Sequence, residues 1–199
     1  MPSMIAVPAH FGTWTNIRLC SEEYDMLPRL ATFFPWSLEK GRMGEGKPEY
    51  RSQFDQDRLV EKLFGGLRGG FFVELGGMDG LKFSNTSYLE EALGWTGILI
   101  EPNPSLYQLM VSNRPRCIHV SCAIASPGAP DRMTLRVPRA CPGLAGLESF
   151  YPEKHVRRVL SENGGDPGEE HTVSVRTMAS VLMEHGVREV HYLSVDVEG

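Results

Sequence analysis

The chain has no apolar run near the ~18 residues that a helical membrane span requires, so no membrane span is expected. Cysteine is scarce. Cys20, Cys117, Cys122 and Cys141 are scattered and form no C-x-x-C pair, which argues against both a disulfide framework and a zinc site and leaves four reduced thiols. A cationic surplus is also missing. The net charge is -5 with the two signs interspersed, so no basic stripe is available to follow nucleic-acid phosphates and no nucleic-acid partner is expected. The opening "MPSMIAVPAHFGTWTNIRLCS" lacks a secretory apolar core. It has no acid before Glu22, faintly like a transit peptide, but holds a single Arg; the expectation is a cytoplasmic protein, with organelle targeting left open. None of the six His stands beside a second ligand at metal spacing, and no metal is expected.

What is present is core-forming material: 41% of the 199 residues are hydrophobic, enough for one domain. Residues 1–50 mix Pro, Gly and isolated aromatics without helical or strand period and read as an irregular arm and linker, leaving 51–199 as the domain. Its first element is a helix in "SQFDQDRLVEKLFGG", with Phe54, Leu59, Leu63 and Phe64 as an apolar stripe and Gly65-Gly66 as its stop. Elements then alternate. "GFFVELG" (70–76), "TGILIEPNP" (96–104) and "CIHVSCAIA" (117–125) read as buried strands, and "SNTSYLEEALG" (84–94) and "PSLYQLMVSN" (104–113) as the helices between them. An antiparallel excursion at 131–140, a helix at 149–163, a strand at 171–177, a helix at 178–186 and a fourth parallel strand in "HYLSVDVEG" complete the pattern. The fold class expected is α/β, a Rossmann-like, doubly wound and mostly parallel sheet.

Chemistry concentrates in "VELGGMDG" (73–80), on the turn after the first strand. Glycines let backbone approach a ligand closely, and the next helix offers free N–H groups to an anion. Gly76, Gly77 and Gly80 depart from the G-x-G-x-x-G fingerprint, and Asp79 would oppose a pyrophosphate there. A ligand with one carboxylate and one ammonium suits the loop better, with Glu74 or Asp79 accepting from the ammonium, as in S-adenosylmethionine. Glu101 ends the second strand about 20 residues later, where doubly wound nucleotide binders place the acid that accepts the ribose hydroxyls. Taken singly, a glycine turn or an acid after a strand is equally an ordinary structural feature.

"SQFDQDRLV", "GGFFVELGGMDGLKFSNTSYLEEALGWTGILIEPNP", "CAIAS" and "YLSVDVEG" together resemble the FkbM-type methyltransferases, a class I family that uses S-adenosylmethionine. The resemblance covers 51–199 and is most specific over 70–104. It implies methyl transfer, usually to a hydroxyl of a sugar, polyketide or other small-molecule acceptor. It further implies that Glu74, Gly76, Gly77 and Gly80 form the methionine-binding loop, with Asp79, Ser84, Asn85 and Thr86 closing it, and that Glu101 holds the ribose. Asn103, Ser121, Cys122 and Ala123 would border the adenine. Gln53 and Asp57 would set the preceding helix over the ligand, unless they only start that helix. Asp196, in "DVEG", is the candidate to touch the methyl donor or orient the acceptor, while Glu198 reads as a cap for whatever helix follows.

The same resemblance implies a complete fold that continues past Gly199 with a helix and about three strands. Residues 51–199 are therefore expected to be the N-terminal part of the domain, with "HYLSVDV" left as an exposed apolar edge and much of the acceptor pocket missing. Two other readings stay open: a methyltransferase-like domain that binds cofactor or a partner without turnover, and, less well supported by the loop, an NAD-dependent oxidoreductase.

Overall fold

The computed structural model describes residues 48–197 and the strands at 4–8 and 14–16. In chain order its strands are β1 Met4–Pro8, β2 Trp14–Asn16, β3 Phe71–Leu75, β4 Thr96–Ile100, β5 Ile118–Val120, β6 Ala123–Ile124, β7 Arg132–Val137, β8 Gly146–Leu147, β9 Glu169–Arg176 and β10 Tyr192–Val195. The helices are α1 Gln56–Leu63, α2 Ser87–Leu93, α3 Pro104–Asn113, α4 Glu153–Glu162 and α5 Met178–Glu184. A mixed α/β architecture with a parallel sheet, as expected, results.

Six strands form the main sheet in the order β2-β1-β10-β3-β4-β5. β10, β3, β4 and β5 run parallel, while β1 is antiparallel to β10 and to β2. From β3 the chain moves outward through β4 to β5, then returns to place β10 on the other side of β3. The four parallel strands thus end together, and the order reverses at the β3–β10 pair.

β3 has the continuous burial of a strand covered on both faces. Phe72 packs with Val60, Leu89, Leu93, Leu99, Met110 and Tyr192 on the side of α1, α2 and α3. Val73 and Leu75 pack with Ile98, Ile100, Val120 and Val181 on the side of α5. The period of two therefore puts Glu74 on the Phe72 face, beneath the start of α2.

Several boundaries differ from expectation. Phe54 lies before α1 rather than on its stripe and is 76% exposed, and the helix buries Gln56, Asp57 and Val60 instead. Residues 84–86 form a loop, with α2 beginning at Ser87. The run 117–125 is two strands. β5 belongs to the main sheet, whereas β6 pairs with β9 in a second sheet of order β6-β9-β7-β8, and exposed Ser121 and buried Cys122 make the passage between them. The expected antiparallel excursion is β7, paired with β9 and β8.

The edge expected at "HYLSVDV" is covered, because Met4, Ile5 and Ala6 are in register with Val195, Ser194 and Leu193. Part of the segment read as irregular is therefore strand; the rest of 1–47, with Glu198 and Gly199, lies outside the described residues. Among the described residues no helix is long and apolar enough to cross a membrane.

Candidate functional site

The loop after β3 folds over the end of β4. Gly76 and Gly77 amides donate to the Ile100 carbonyl at 3.0 and 3.3 Å, and the Met78 amide donates to Glu101 Oε2 at 2.9 Å. Its glycines answer to packing. Gly76 has φ +77°, and a Cβ there would stand 2.0 Å from the Asp196 carbonyl oxygen. Gly80 has φ +83°, and a Cβ there would meet Arg114 Cγ at 2.9 Å and the α3 backbone at 3.3 Å. Met78 adopts φ +49° without being glycine, a conformation that proteins tend to retain at functional sites.

Glu74 faces into the protein. Its carboxylate accepts from Ser84 Oγ at 3.0 Å, the Asn85 amide at 2.7 Å and Thr86 Oγ1 at 2.6 Å. The Thr86 and Ser87 amides are met by Ser84 Oγ at 3.3 and 3.1 Å. The acceptors for the Asn85, Thr86 and Ser87 amides are thus the protein's own Glu74 and Ser84, whereas the sequence suggests that the N–H groups at this helix start would meet a ligand carboxylate. Burial pushes the Glu74 pKa up, against the pull of Arg114 and its three donors.

Arg114, at the end of α3 and 2% exposed, joins this cluster. It is ion-paired with buried Glu90 and reaches Gly80 O, Ser84 Oγ and Thr86 Oγ1. Burial alone would raise Glu90, but Arg114, Cys117 and Arg116 around it bring its pKa below the usual carboxylate value. Cys117 donates to Glu90, and burial pushes its thiol up to about 12.

Glu101 is the unbalanced group. It is 5% exposed, its Oε1 accepts from the Asn103 amide at 2.9 Å, and Met78 supplies the other donor. Burial pushes its pKa up to about 7, against the lowering effect of those two amides, and no cation is among the causes. Asn103 Oδ1 caps α3 by accepting from the Ser105 amide at 3.1 Å and from Leu106, with Pro104 in the first turn. Its Nδ2, buried beside Glu101, has no partner among the described residues. Asn85 mirrors this: Nδ2 donates to Ser194 Oγ at 2.9 Å, and buried Oδ1 has no partner among the described residues.

Of the other expected residues, Asp79 and Asp196 adjoin the loop, while Cys122, Ala123, Gln53 and Asp57 belong to other parts of the fold. Asp79 Oδ1 accepts from the Leu81 and Lys82 amides at 2.9 and 2.7 Å and so shapes its own loop. Cys122 lies in the apolar cluster against α5, where burial raises its thiol to about 11, and Ala123 belongs to the second sheet's core. Asp196 is exposed just past β10, its amide donating to Leu75 O at 3.2 Å. Asp57 is buried and accepts from the Arg51 and Ser52 amides and Ser52 Oγ, which fastens residues 51–52 beside Phe83. Gln53 is exposed. Among the described residues no group of three or more His, Cys, Asp or Glu could hold a metal.

Sequence reasoning missed Arg114 and Met78. An arginine closing a helix reads as a solvated complement to the helix dipole, and nothing in "NRPRC" signals its burial. Met78's left-handed backbone has no residue signature at all.

A family model described as "Methyltransferase FkbM domain" matches residues 74–199, which takes in the loop, Glu101, Arg114 and Asp196. No curated protein matches the chain, and no solved structure does.

Proposed function

The chain belongs to the FkbM methyltransferase family, and from that membership and the groups at the strand ends we propose that it moves a methyl group from S-adenosylmethionine to a hydroxyl oxygen of a sugar, polyketide or related small metabolite. The observation that carries the cofactor is Glu101, a buried carboxylate with no cation beside it among the described residues, at the end of a parallel strand and below the glycine loop. Such a group suits a ribose diol, which brings two donors and no charge. The reversal of strand order beside β3 supports a Rossmann-like, doubly wound sheet, and ligands of such sheets lie at that switch point.

The residues present fit the cofactor on two further counts. Asn103 Nδ2 offers an unused donor beside the ribose acid, and Asn85 Oδ1 an unused acceptor beside the loop. Buried polar atoms without partners are rare enough that each calls for a partner. Glu101 would hold the ribose, Asn103 the ribose or adenine edge, and Asn85 the ammonium, with Gly76, Gly77 and Gly80 shaping the loop. S-adenosylmethionine, when bound, supplies an electrophilic methyl group. Cys122 and Ala123 would contribute through the backbone of the β5–β6 passage. Asp196, exposed at the same end of the sheet, would orient an acceptor hydroxyl or take its proton. A dinucleotide is disfavoured, because the helix-start amides that would hold its pyrophosphate are engaged by Glu74 and Ser84.

Incubation with S-adenosylmethionine carrying a labelled methyl group and a panel of hydroxylated sugars and polyketides tests the activity. Label is expected in an alkali-stable ether of one acceptor class. Cofactor binding without label transfer to any hydroxyl or amine acceptor would favour instead a domain that binds without turnover.

A further inference from the structure

Two successive residues at the end of α3 hold two successive carbonyls of the loop after β3: Asn113 Nδ2 donates to Asp79 O at 2.8 Å and Arg114 Nη1 to Gly80 O at 2.9 Å. Arg114 then goes further. Nη1 also reaches Ser84 Oγ at 3.2 Å, Nη2 reaches Thr86 Oγ1 at 3.2 Å and Cys117 Sγ at 3.8 Å, and Nε pairs with Glu90. The plane lies over the Phe72 ring, 5.6 Å from its centroid. A guanidinium has five N–H donors and no acceptor, and here all five directions are occupied.

That asymmetry orders the hydroxyls. Ser84 Oγ and Thr86 Oγ1 each have one proton, and a donor-only neighbour requires each to turn a lone pair toward Arg114. Their protons are then directed at Glu74, the acceptor on the other side at 3.0 and 2.6 Å. The Asn85 amide completes the set on Glu74. Residue 85 is thereby fixed between two held neighbours, and its side chain bridges to Ser194 on β10, with Oδ1 lacking a partner among the described residues.

We infer that Arg114 is a positioning residue for the cofactor loop: from the end of α3 it fixes the 80–86 turn through Gly80, Ser84 and Thr86, and so aims Asn85 at the methyl donor. This rests on the cofactor reading above, but the positioning itself is separable from it. A lysine cannot replace the arginine, since one ammonium with three donors cannot span the partners that the planar fork reaches.

The test uses the full chain as wild type, Arg114→Lys, Arg114→Met and Thr86→Val, the last removing a single link of the relay. Amide hydrogen exchange is followed at residues 80–87 and, as reference, in β7 and β9, alongside titration with S-adenosylhomocysteine. The expected result is at least a tenfold loss of protection at Asn85, Thr86 and Ser87 in every variant, with β7 and β9 unchanged. An affinity loss of at least tenfold should accompany it, unrescued by Lys. Loss of protection throughout the chain in Thr86→Val, unchanged protection at 85–87, or full rescue by Lys would overturn the positioning role. Should Arg114→Met fail to fold, Thr86→Val and Arg114→Lys still decide it. Failure of the wild type to bind S-adenosylhomocysteine would overturn the cofactor reading, while the exchange pattern would still judge the positioning.

Discussion

Glu101 combines burial, two backbone donors and a pKa pushed up to about 7, which makes both stability and binding depend on pH. The folded state holds this proton more tightly than the unfolded chain, whose value is 4.5. Its stabilising effect is therefore complete below that unfolded value and is lost as pH rises through about 7. Thermal melts from pH 5 to 8 should show wild type losing several degrees relative to Glu101→Gln as pH rises, whereas parallel curves would contradict the assignment. Binding runs the other way. A ribose diol donates to the ionised form, so affinity for S-adenosylhomocysteine should rise with pH up to about 7, approaching tenfold per unit, and lose that slope in Glu101→Gln. Gly76 presents a different constraint at the same scale. With φ +77° and a Cβ only 2.0 Å from the Asp196 carbonyl oxygen, Gly76→Ala must move the end of β10 or the loop and should cost more than ~1 kcal/mol in denaturant unfolding. Glu101 and the glycines were legible because an acid after a buried strand and a glycine turn are written in residue types. The partners of Glu74 were not, since strand periodicity fixes which face a side chain takes but not which loop covers it.

At the scale of elements, α3 depends on one side chain for its start and supplies another to the loop at its end. Asn103 caps it through Oδ1, so Asn103→Ala should cost about 1 kcal/mol in chemical unfolding. Asn103→Ser keeps a capping oxygen and loses Nδ2. It should restore most of that stability while leaving cofactor affinity reduced; recovery of both would deny the amide nitrogen a ligand role. The elements of the parallel sheet stood out in the sequence because continuous apolar runs bounded by Gly, Pro and Asn mark strands buried on both faces, and α3 begins where its Asn-Pro cap predicts. The change of sheet at Ser121 and Cys122 did not, because "CIHVSCAIA" remains apolar across a point where only the hydrogen-bond partner changes. Likewise "SNT" has helix-cap chemistry, but Thr86, directly before α2, gives its hydroxyl to Glu74, and Ser84 both donates to Glu74 and accepts from the Thr86 and Ser87 amides.

For the molecule as a whole, the main sheet draws on the first residues of the chain as well as the last. β1 supplies the backbone that pairs with β10, and β2 in turn covers β1. Deleting residues 1–47 should expose a parallel-sheet edge, giving concentration-dependent association in sedimentation and light scattering, whereas a monodisperse product of unchanged Tm would show that this pairing is dispensable. The pairing was hidden in the sequence because "MIAVP" is a brief apolar stretch among prolines and glycines, too short to carry a period, and its partner lies nearly two hundred residues away. At every scale the same end of the molecule is involved: the parallel sheet brings the β3 loop, Glu101 and Asp196 together there, and the end of α3 braces the loop at Asp79 and Gly80, where we propose that the methyl donor binds.

Calorimetric titration of residues 1–199 with S-adenosylhomocysteine at pH 7.5, repeated with Glu101→Ala and in competition with NAD, tests that claim most directly. The account predicts one site per chain, no displacement by NAD, and at least tenfold weaker binding in a variant whose melting curve remains cooperative. Equal affinity in the folded variant, or displacement by NAD, would contradict it.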